Sequence, residues 1–146
     1  MARVSTEDLL PRVPLFKDLP KKHLAQVRNL ATRIDVPPGR VLTREGAVGY
    51  EFVVVLEGEV EVRRNDEVVA TCGAGDFVGE IALIDERPRT ATVVATTPAV
   101  LDVIGRREFA ELLSREPEIA ERIRSTAAQR LAELEPAADE DDEGKH

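Results

Sequence analysis

The sequence contains very little cysteine or histidine: one Cys and two His in 146 residues. A single thiol, Cys72, excludes a disulfide framework and a multi-thiolate zinc or iron–sulfur site within one chain. Because His23 and His146 are the only histidines, a metal site built from several imidazoles is excluded too. No apolar run approaches the roughly 18 residues that a membrane helix needs, and the N-terminus lacks the apolar core of a secretory signal. These absences predict a reduced, soluble, cytoplasmic protein that holds no cofactor and spans no membrane.

Positive charge is also scarce: 20 Lys and Arg residues face 28 Asp and Glu residues, which gives a formal net charge of −8. Residues 131–146 hold seven acidic residues and one basic residue, so the rest of the chain is nearly neutral. A nucleic-acid binder carries a basic patch or stripe, which this balance does not provide. We therefore expect no DNA partner, and we expect residues 137–146 to form a disordered acidic tail.

The hydrophobic pattern divides one domain, residues 1–136, into three parts. Residues 1–36 and 106–135 have the apolar spacing of helices, whereas residues 37–105 consist of short β-type runs separated by glycines and turns. The run 52–56 is continuously apolar, as in a strand that is buried on both faces. Many short strands at this spacing predict a closed sandwich or barrel. A narrow apolar stripe on the last helix consists of Ile119, Ile123, Ala127, Leu131 and Leu134.

The stretch 75–92 combines residue types that suit an anionic ligand. Gly79 has no side chain, so the backbone can approach a ligand closely there. A single helical turn over 80–84 would offer free N–H groups and a positive dipole end to an anion. Arg89 presents a planar fork of donors that suits two phosphate oxygens, and Thr90 adds a hydroxyl.

Glu80 would repel a phosphate, but it is well placed to accept a hydrogen bond from a sugar hydroxyl beside that phosphate. A phosphate with one negative charge can be neutralised by one arginine, whereas a triphosphate asks for more bases and usually for magnesium. The residues therefore favour a cyclic nucleotide as the ligand.

Two motifs in this stretch resemble the phosphate-binding cassette of the cyclic-nucleotide-binding domain family. That family includes the regulatory subunits of cyclic-AMP-dependent kinase, cyclic-nucleotide-gated channels and the bacterial catabolite activator proteins. The motifs are Gly79-Glu80-Ile81-Ala82-Leu83 and Pro88-Arg89-Thr90-Ala91-Thr92, at the family's usual interval. The resemblance covers roughly residues 9–135. It includes residues 14–16, 38–42, Gly46, 56–60 and 75–76.

The resemblance implies a mainly β fold: an eight-stranded jelly-roll β-barrel (double-stranded β-helix) flanked by N-terminal and C-terminal α-helices. The cassette would span residues 79–92. Glu80 would accept from the ribose 2′-hydroxyl, and Arg89 would pair with the cyclic phosphate. The remaining ligand-binding residues would be Gly79, Ile81, Ala82 and Thr90, with Leu131 and Leu134 as the candidate base cap.

The leading hypothesis is a stand-alone sensor of a cyclic nucleotide, with cAMP as the first candidate and cGMP as the second. It would not be an enzyme. Nucleotide binding would change the position of the C-terminal helices, which would act in trans on an unidentified protein effector or pair with a second copy in a homodimer. One alternative is an interaction module of the same fold that binds no nucleotide. Another is a metal-dependent enzyme of the double-stranded β-helix type, which the positions of His23 and His146 disfavour.

Overall fold

The structure, a computed structural model, describes residues 9–48, 51–80, 89 and 91–134. Within these residues the chain forms eight β-strands, three α-helices and two short 3₁₀ turns. The 3₁₀ turns are Leu10–Arg12 and Pro14–Phe16, and the helices are α1 (Lys21–Leu30), α2 (Arg106–Arg115) and α3 (Pro117–Leu134). The strands are β1 (Ala31–Val36), β2 (Val41–Thr43), β3 (Glu51–Glu57), β4 (Val60–Arg64), β5 (Glu67–Cys72), β6 (Phe77–Val78), β7 (Thr92–Ala95) and β8 (Ala99–Gly105).

The strands form two antiparallel four-stranded sheets, in the orders β1-β8-β3-β6 and β2-β7-β4-β5. The predicted mainly β fold with flanking helices and eight strands is confirmed. The predicted closed barrel is wrong, because no ladder among the described residues joins an edge strand of one sheet to the other sheet. Alternating side chains indicate which face of a strand is buried but not which strands share a ladder, so the pattern could not separate a sandwich from a barrel.

The central strand β3 explains why the run 52–56 has no polar residue. Phe52, Val54 and Leu56 point into a core between the sheet and the helices. Val53 and Val55 point the other way, into the core between the two sheets. Because successive side chains of a strand face opposite sides, a strand covered on both faces needs apolar residues throughout.

The three helices cover the outer face of the first sheet. Leu24 and Val27 of α1 and Phe109 and Leu112 of α2 are buried in this outer core. Along α3 the predicted stripe is confirmed as buried at Ile119, Ile123 and Ala127, and it becomes half-buried at Leu131. The burial of the stripe therefore decreases between Ala127 and Leu131. No helix among the described residues is long and apolar enough to cross a membrane.

Candidate functional site

The backbone of Arg89 is held by the loop that follows β2. The Gly46 N–H donates to the Arg89 carbonyl at 2.8 Å, and the Arg89 N–H donates to the Ala47 carbonyl at 2.7 Å. Two residues after Arg89, the carbonyl of Ala91 accepts a 2.9 Å hydrogen bond from the buried hydroxyl of Thr43. These reciprocal bonds fix the point from which the Arg89 side chain extends.

The guanidinium of Arg89 is oriented by two backbone carbonyls. Nη1 donates to the Gly79 carbonyl at 3.1 Å, and Nη2 donates to the Glu51 carbonyl at 2.7 Å. The residue is 7% exposed, and burial lowers the pKa of Arg89, an effect that the nearby carboxylates of Glu51 and Glu80 oppose. A guanidinium has five N–H donors and stays protonated at neutral pH, and contacts with the described residues use two of them.

Gly79 is required by its backbone conformation and by its neighbours. Its φ is +95°, in the left-handed region that side chains other than glycine rarely adopt. A Cβ at this position would lie 2.6 Å from Nη1 of Arg89 and 2.7 Å from the carbonyl oxygen of Glu51. The glycine thus makes room for the arginine itself, whereas the sequence had suggested room for a ligand.

Glu80 is a buried acid with one engaged and one unengaged oxygen. The residue is 1% exposed, and its Oε1 accepts a 2.7 Å hydrogen bond and ion pair from Nη1 of Arg130 on α3. Its Oε2 is buried and has no hydrogen-bond partner among the residues that the structure describes. Burial raises the pKa of Glu80, and this rise is opposed by the charge and hydrogen bond of Arg130, by the backbone N–H of Glu80 itself and by the charge of Arg89. An unpaired buried acceptor is costly, so it marks a place where a donor belongs.

Arg130 is the functional candidate that sequence reasoning missed. Its guanidinium carbon lies 5.0 Å from the centre of the Phe77 ring, a cation–π distance, while Nη1 reaches Glu80. Phe77 is held in turn by the Phe52 ring at 5.3 Å. The sequence feature that could have identified Arg130 is its position three residues after Ala127, at the margin of the apolar stripe. A long cationic side chain at such a margin can cross apolar surface to reach a buried acid.

The structure brings together three of the residues that the sequence singled out: Gly79, Glu80 and Arg89. Leu131 lies half-buried on the last turns of α3, and the side chain of Leu134 is not described. The predicted ligand-binding residues Ile81, Ala82 and Thr90 lie outside the described residues.

Cys72, the last residue of β5, lies close to this site. Burial raises the pKa of its thiol; the charge of Arg130 opposes the rise, while Asp76 and Glu80 add to it. The thiol is therefore protonated at neutral pH and acts as a small apolar group in the core between the sheets. Among the residues that the structure describes, no group of three or more His, Cys, Asp or Glu side chains is arranged to hold a metal ion.

Comparison with known proteins identifies the family. Residues 33–116 match the family model described as the cyclic nucleotide-binding domain. The chain belongs to the cyclic nucleotide-binding domain family. This domain is 46% identical, over 123 residues, to a cyclic nucleotide-gated potassium channel of Rhizobium etli, an alignment that covers 84% of the chain and 34% of the channel.

Solved structures of the same family superpose on most of the chain. A mutant regulatory subunit of a cAMP-independent protein kinase A from Trypanosoma brucei, bound to cAMP in its A site, has a TM-score of 0.80 and 26% identity, covering 92% of this chain and 50% of that one. The catabolite activator protein of Thermus thermophilus has a TM-score of 0.76 and 27% identity, covering 86% of this chain and 62% of that one. The chain thus spans about a third of the Rhizobium channel and about half of the kinase subunit.

Proposed function

We propose that this domain binds a cyclic nucleotide, with cAMP as the first candidate, and that it regulates a protein partner through its last helix. The role is binding and signalling rather than catalysis. The single observation that carries the proposal is Glu80, a buried carboxylate whose Oε1 is held by Arg130 and whose Oε2 has no partner in the described part of the chain. The kinase subunit from Trypanosoma brucei, whose structure holds cAMP, and the channel from Rhizobium etli support the same class of ligand.

Arg89 is proposed to bind the cyclic phosphate. Its guanidinium is buried and is oriented by the carbonyls of Gly79 and Glu51, so little rotamer freedom is lost when the ligand arrives. The planar guanidinium can offer two parallel N–H donors to a phosphate with one negative charge, the bidentate geometry that arginine favours. Each charge-assisted hydrogen bond contributes about 1.5–3 kcal/mol, so this contact supplies a large part of the affinity.

Glu80 is proposed to accept from the ribose 2′-hydroxyl through Oε2. The neighbouring Arg130 keeps Oε1 occupied and opposes the effect of burial, which favours the ionised form that a hydroxyl donor requires. A bound ribose would satisfy an acceptor that is otherwise buried without a donor. This division of labour explains why an acid lies next to a phosphate-binding arginine.

The last helix is proposed to report the state of the site, because Arg130 of α3 contacts Glu80 directly. Shifting a helix position from 1:99 to 99:1 requires a difference in ligand affinity worth about 5.5 kcal/mol. The phosphate and ribose contacts together reach this magnitude at about 1.5–3 kcal/mol for each charge-assisted bond. Leu131, one residue beyond Arg130 and half-buried, is proposed to cover the base.

Titration calorimetry of the purified domain with cAMP, cGMP and 5′-AMP tests this function. We expect a cyclic nucleotide to bind and 5′-AMP to bind far more weakly, because its phosphate carries more charge and lacks the ring. Arg89→Ala should abolish the heat of binding, whereas Arg107→Ala, which removes an exposed arginine of α2, should leave it unchanged. If the folded protein bound neither cyclic nucleotide, the proposal would fail and the interaction module would be favoured.

A further inference from the structure

A second polar contact joins the N-terminal helix to the junction between the last two helices. Nδ1 of His23, on α1, lies 2.8 Å from Oε1 of Glu116, the residue between α2 and α3. The His23 side chain is 35% exposed, whereas that of Glu116 is 5% exposed. An acid so buried is stabilised by its hydrogen-bond partners, and His23 is the one that the described residues provide for Oε1.

Glu116 occupies the position at which the direction of the chain changes. Its N–H donates to the Leu112 carbonyl at 2.9 Å, which closes the last turn of α2, and its carbonyl accepts from the Ala120 N–H at 2.9 Å, which begins α3. The other carboxylate oxygen, Oε2, is buried, and the described residues provide no hydrogen-bond partner for it. Among the described residues, His23 is therefore the side chain that holds Glu116, whose backbone joins the end of α2 to the start of α3.

The length of α3 amplifies a movement at this junction. Fourteen residues separate Glu116 from Arg130, and at 1.5 Å per residue they span about 21 Å. A tilt of about 5° at the junction would displace the far end by nearly 2 Å, a distance large enough to break the 2.7 Å contact between Arg130 and Glu80. Arg122, between these ends, holds the helix through the carbonyls of Leu15 and Lys17 at 2.8 and 3.1 Å.

We propose that His23 is a positioning residue for the nucleotide site: by holding Glu116 it sets the angle of α3, and that angle decides whether Arg130 reaches Glu80. His23 lies on a different element from every ligand-binding residue and touches no ligand in this scheme. The inference rests on the proposed function, since it concerns the affinity of that site. It adds a determinant of affinity at the opposite end of the last helix.

Calorimetry with cAMP on four variants provides the main test. His23→Leu should weaken cAMP binding about tenfold at a temperature where circular dichroism shows it fully folded, as expected for the loss of one charge-assisted hydrogen bond. His23→Gln, which keeps a donor for Glu116, should stay within about twofold of wild type. Lys22→Leu, at the exposed neighbouring position of α1, should bind normally. In the pair His23→Leu with Glu116→Gln, the double variant should bind no more weakly than His23→Leu alone.

Wild-type affinity in a folded His23→Leu protein would overturn the inference, because a merely structural contact lowers the melting temperature without changing binding to the folded state. If His23→Leu does not fold, Glu116→Ala, which removes the acceptor, replaces it in the same comparison. Failure of the proposed function is distinguishable, because then wild type binds neither cAMP nor cGMP.

A distance measurement decides the inference without any ligand. Nitroxide labels at the exposed positions 124 on α3 and 67 on β5, in a Cys72→Ser background, report the position of the helix by pulsed electron resonance. The distance distribution should be narrow in the otherwise wild-type protein and broader or shifted with His23→Leu. An unchanged distribution would contradict the role assigned to His23.

Discussion

Arg130 and Glu80 form an ion pair, 2.7 Å between Nη1 and Oε1, that connects the last helix to the buried acid of the candidate site. The pair is asymmetric in burial: the arginine side chain is 27% exposed and the glutamate side chain is 1% exposed. One carboxylate oxygen is thereby fixed by the helix, while the other has no donor among the described residues. Under the proposed function, this contact makes the position of the helix and the affinity for the ligand interdependent.

Replacement of Arg130 by Gln should weaken both folding and nucleotide binding. Glu80 would keep its burial but lose the cation that opposes it, so its charged form would become less favourable. We expect a loss of about 1–3 kcal/mol in the free energy of unfolding and about tenfold in cAMP affinity, measured by urea denaturation and calorimetry. Arg124→Gln, at an exposed position on the same helix, is the matched control. Equal behaviour of the two variants would contradict the account of the ion pair.

Every replacement of Arg89 should lower the cAMP affinity, and Lys should lower it less than Ala. A lysine has the charge but not the planar fork, so it can neither bind both carbonyls of Gly79 and Glu51 nor meet two phosphate oxygens. We expect Arg89→Lys to lose at least about tenfold in cAMP affinity and Arg89→Ala at least about a hundredfold. A lysine variant that binds like wild type would indicate that only charge matters at this position.

Gly79→Ala should displace the guanidinium of Arg89 and strain the backbone at position 79. The new Cβ would meet the Arg89 guanidinium at 2.6 Å in a backbone conformation with φ of +95°. The conformational strain alone costs about 1–2 kcal/mol, and displacement of the guanidinium should lower cAMP affinity at least about tenfold. Gly73→Ala serves as the control, since no atom lies within 4 Å of a Cβ there, and its stability should change by less than about 0.5 kcal/mol.

Lowering the pH should weaken nucleotide binding because it protonates Glu80. This loss should begin at a higher pH than for an ordinary glutamate, whose pKa is about 4.3, because burial raises the pKa of Glu80. The contribution of Glu80 to the stability of the folded protein changes with pH in the opposite direction. An acid with a raised pKa in the folded state binds its proton more tightly when folded, so its contribution to stability is present below the unfolded pKa and is lost as the pH rises through the folded pKa.

Calorimetry across a pH series distinguishes the two effects. The acid loss of cAMP affinity should be absent in Glu80→Gln. Asp102→Asn is the matched control, because burial also raises the pKa of Asp102. The acid loss should persist in this variant, since Asp102 pairs with Arg33 away from the site. An acid loss that survives in Glu80→Gln would assign the titration to another group.

Much of the fold follows from local patterns. The apolar run of β3 and the stripe of α3 could be predicted, because each depends on the spacing of apolar residues within one strand or helix. That spacing is a property of contiguous sequence. The separation into two sheets was not readable. It depends on which strand edges meet, and that is a property of the whole folded chain rather than of any one strand.

The candidate site was readable where side-chain chemistry lies within one short segment. Gly79, Glu80 and Arg89 are at most ten residues apart, and each has a distinctive chemical role. The carbonyl of Glu51 that orients Arg89 was invisible, because every residue has a carbonyl. Arg130 lies fifty residues from Glu80, so only the folded chain brings the two together.

The most direct test of the central claim compares cAMP with 2′-deoxy-cAMP on the wild-type domain and on Glu80→Gln by titration calorimetry. If Oε2 of Glu80 accepts from the ribose hydroxyl, wild type should bind cAMP at least about tenfold more tightly than the deoxy analogue. Glu80→Gln should discriminate between the two nucleotides far less than wild type does. Equal affinity of wild type for both nucleotides, or the same discrimination in Glu80→Gln, would contradict the account.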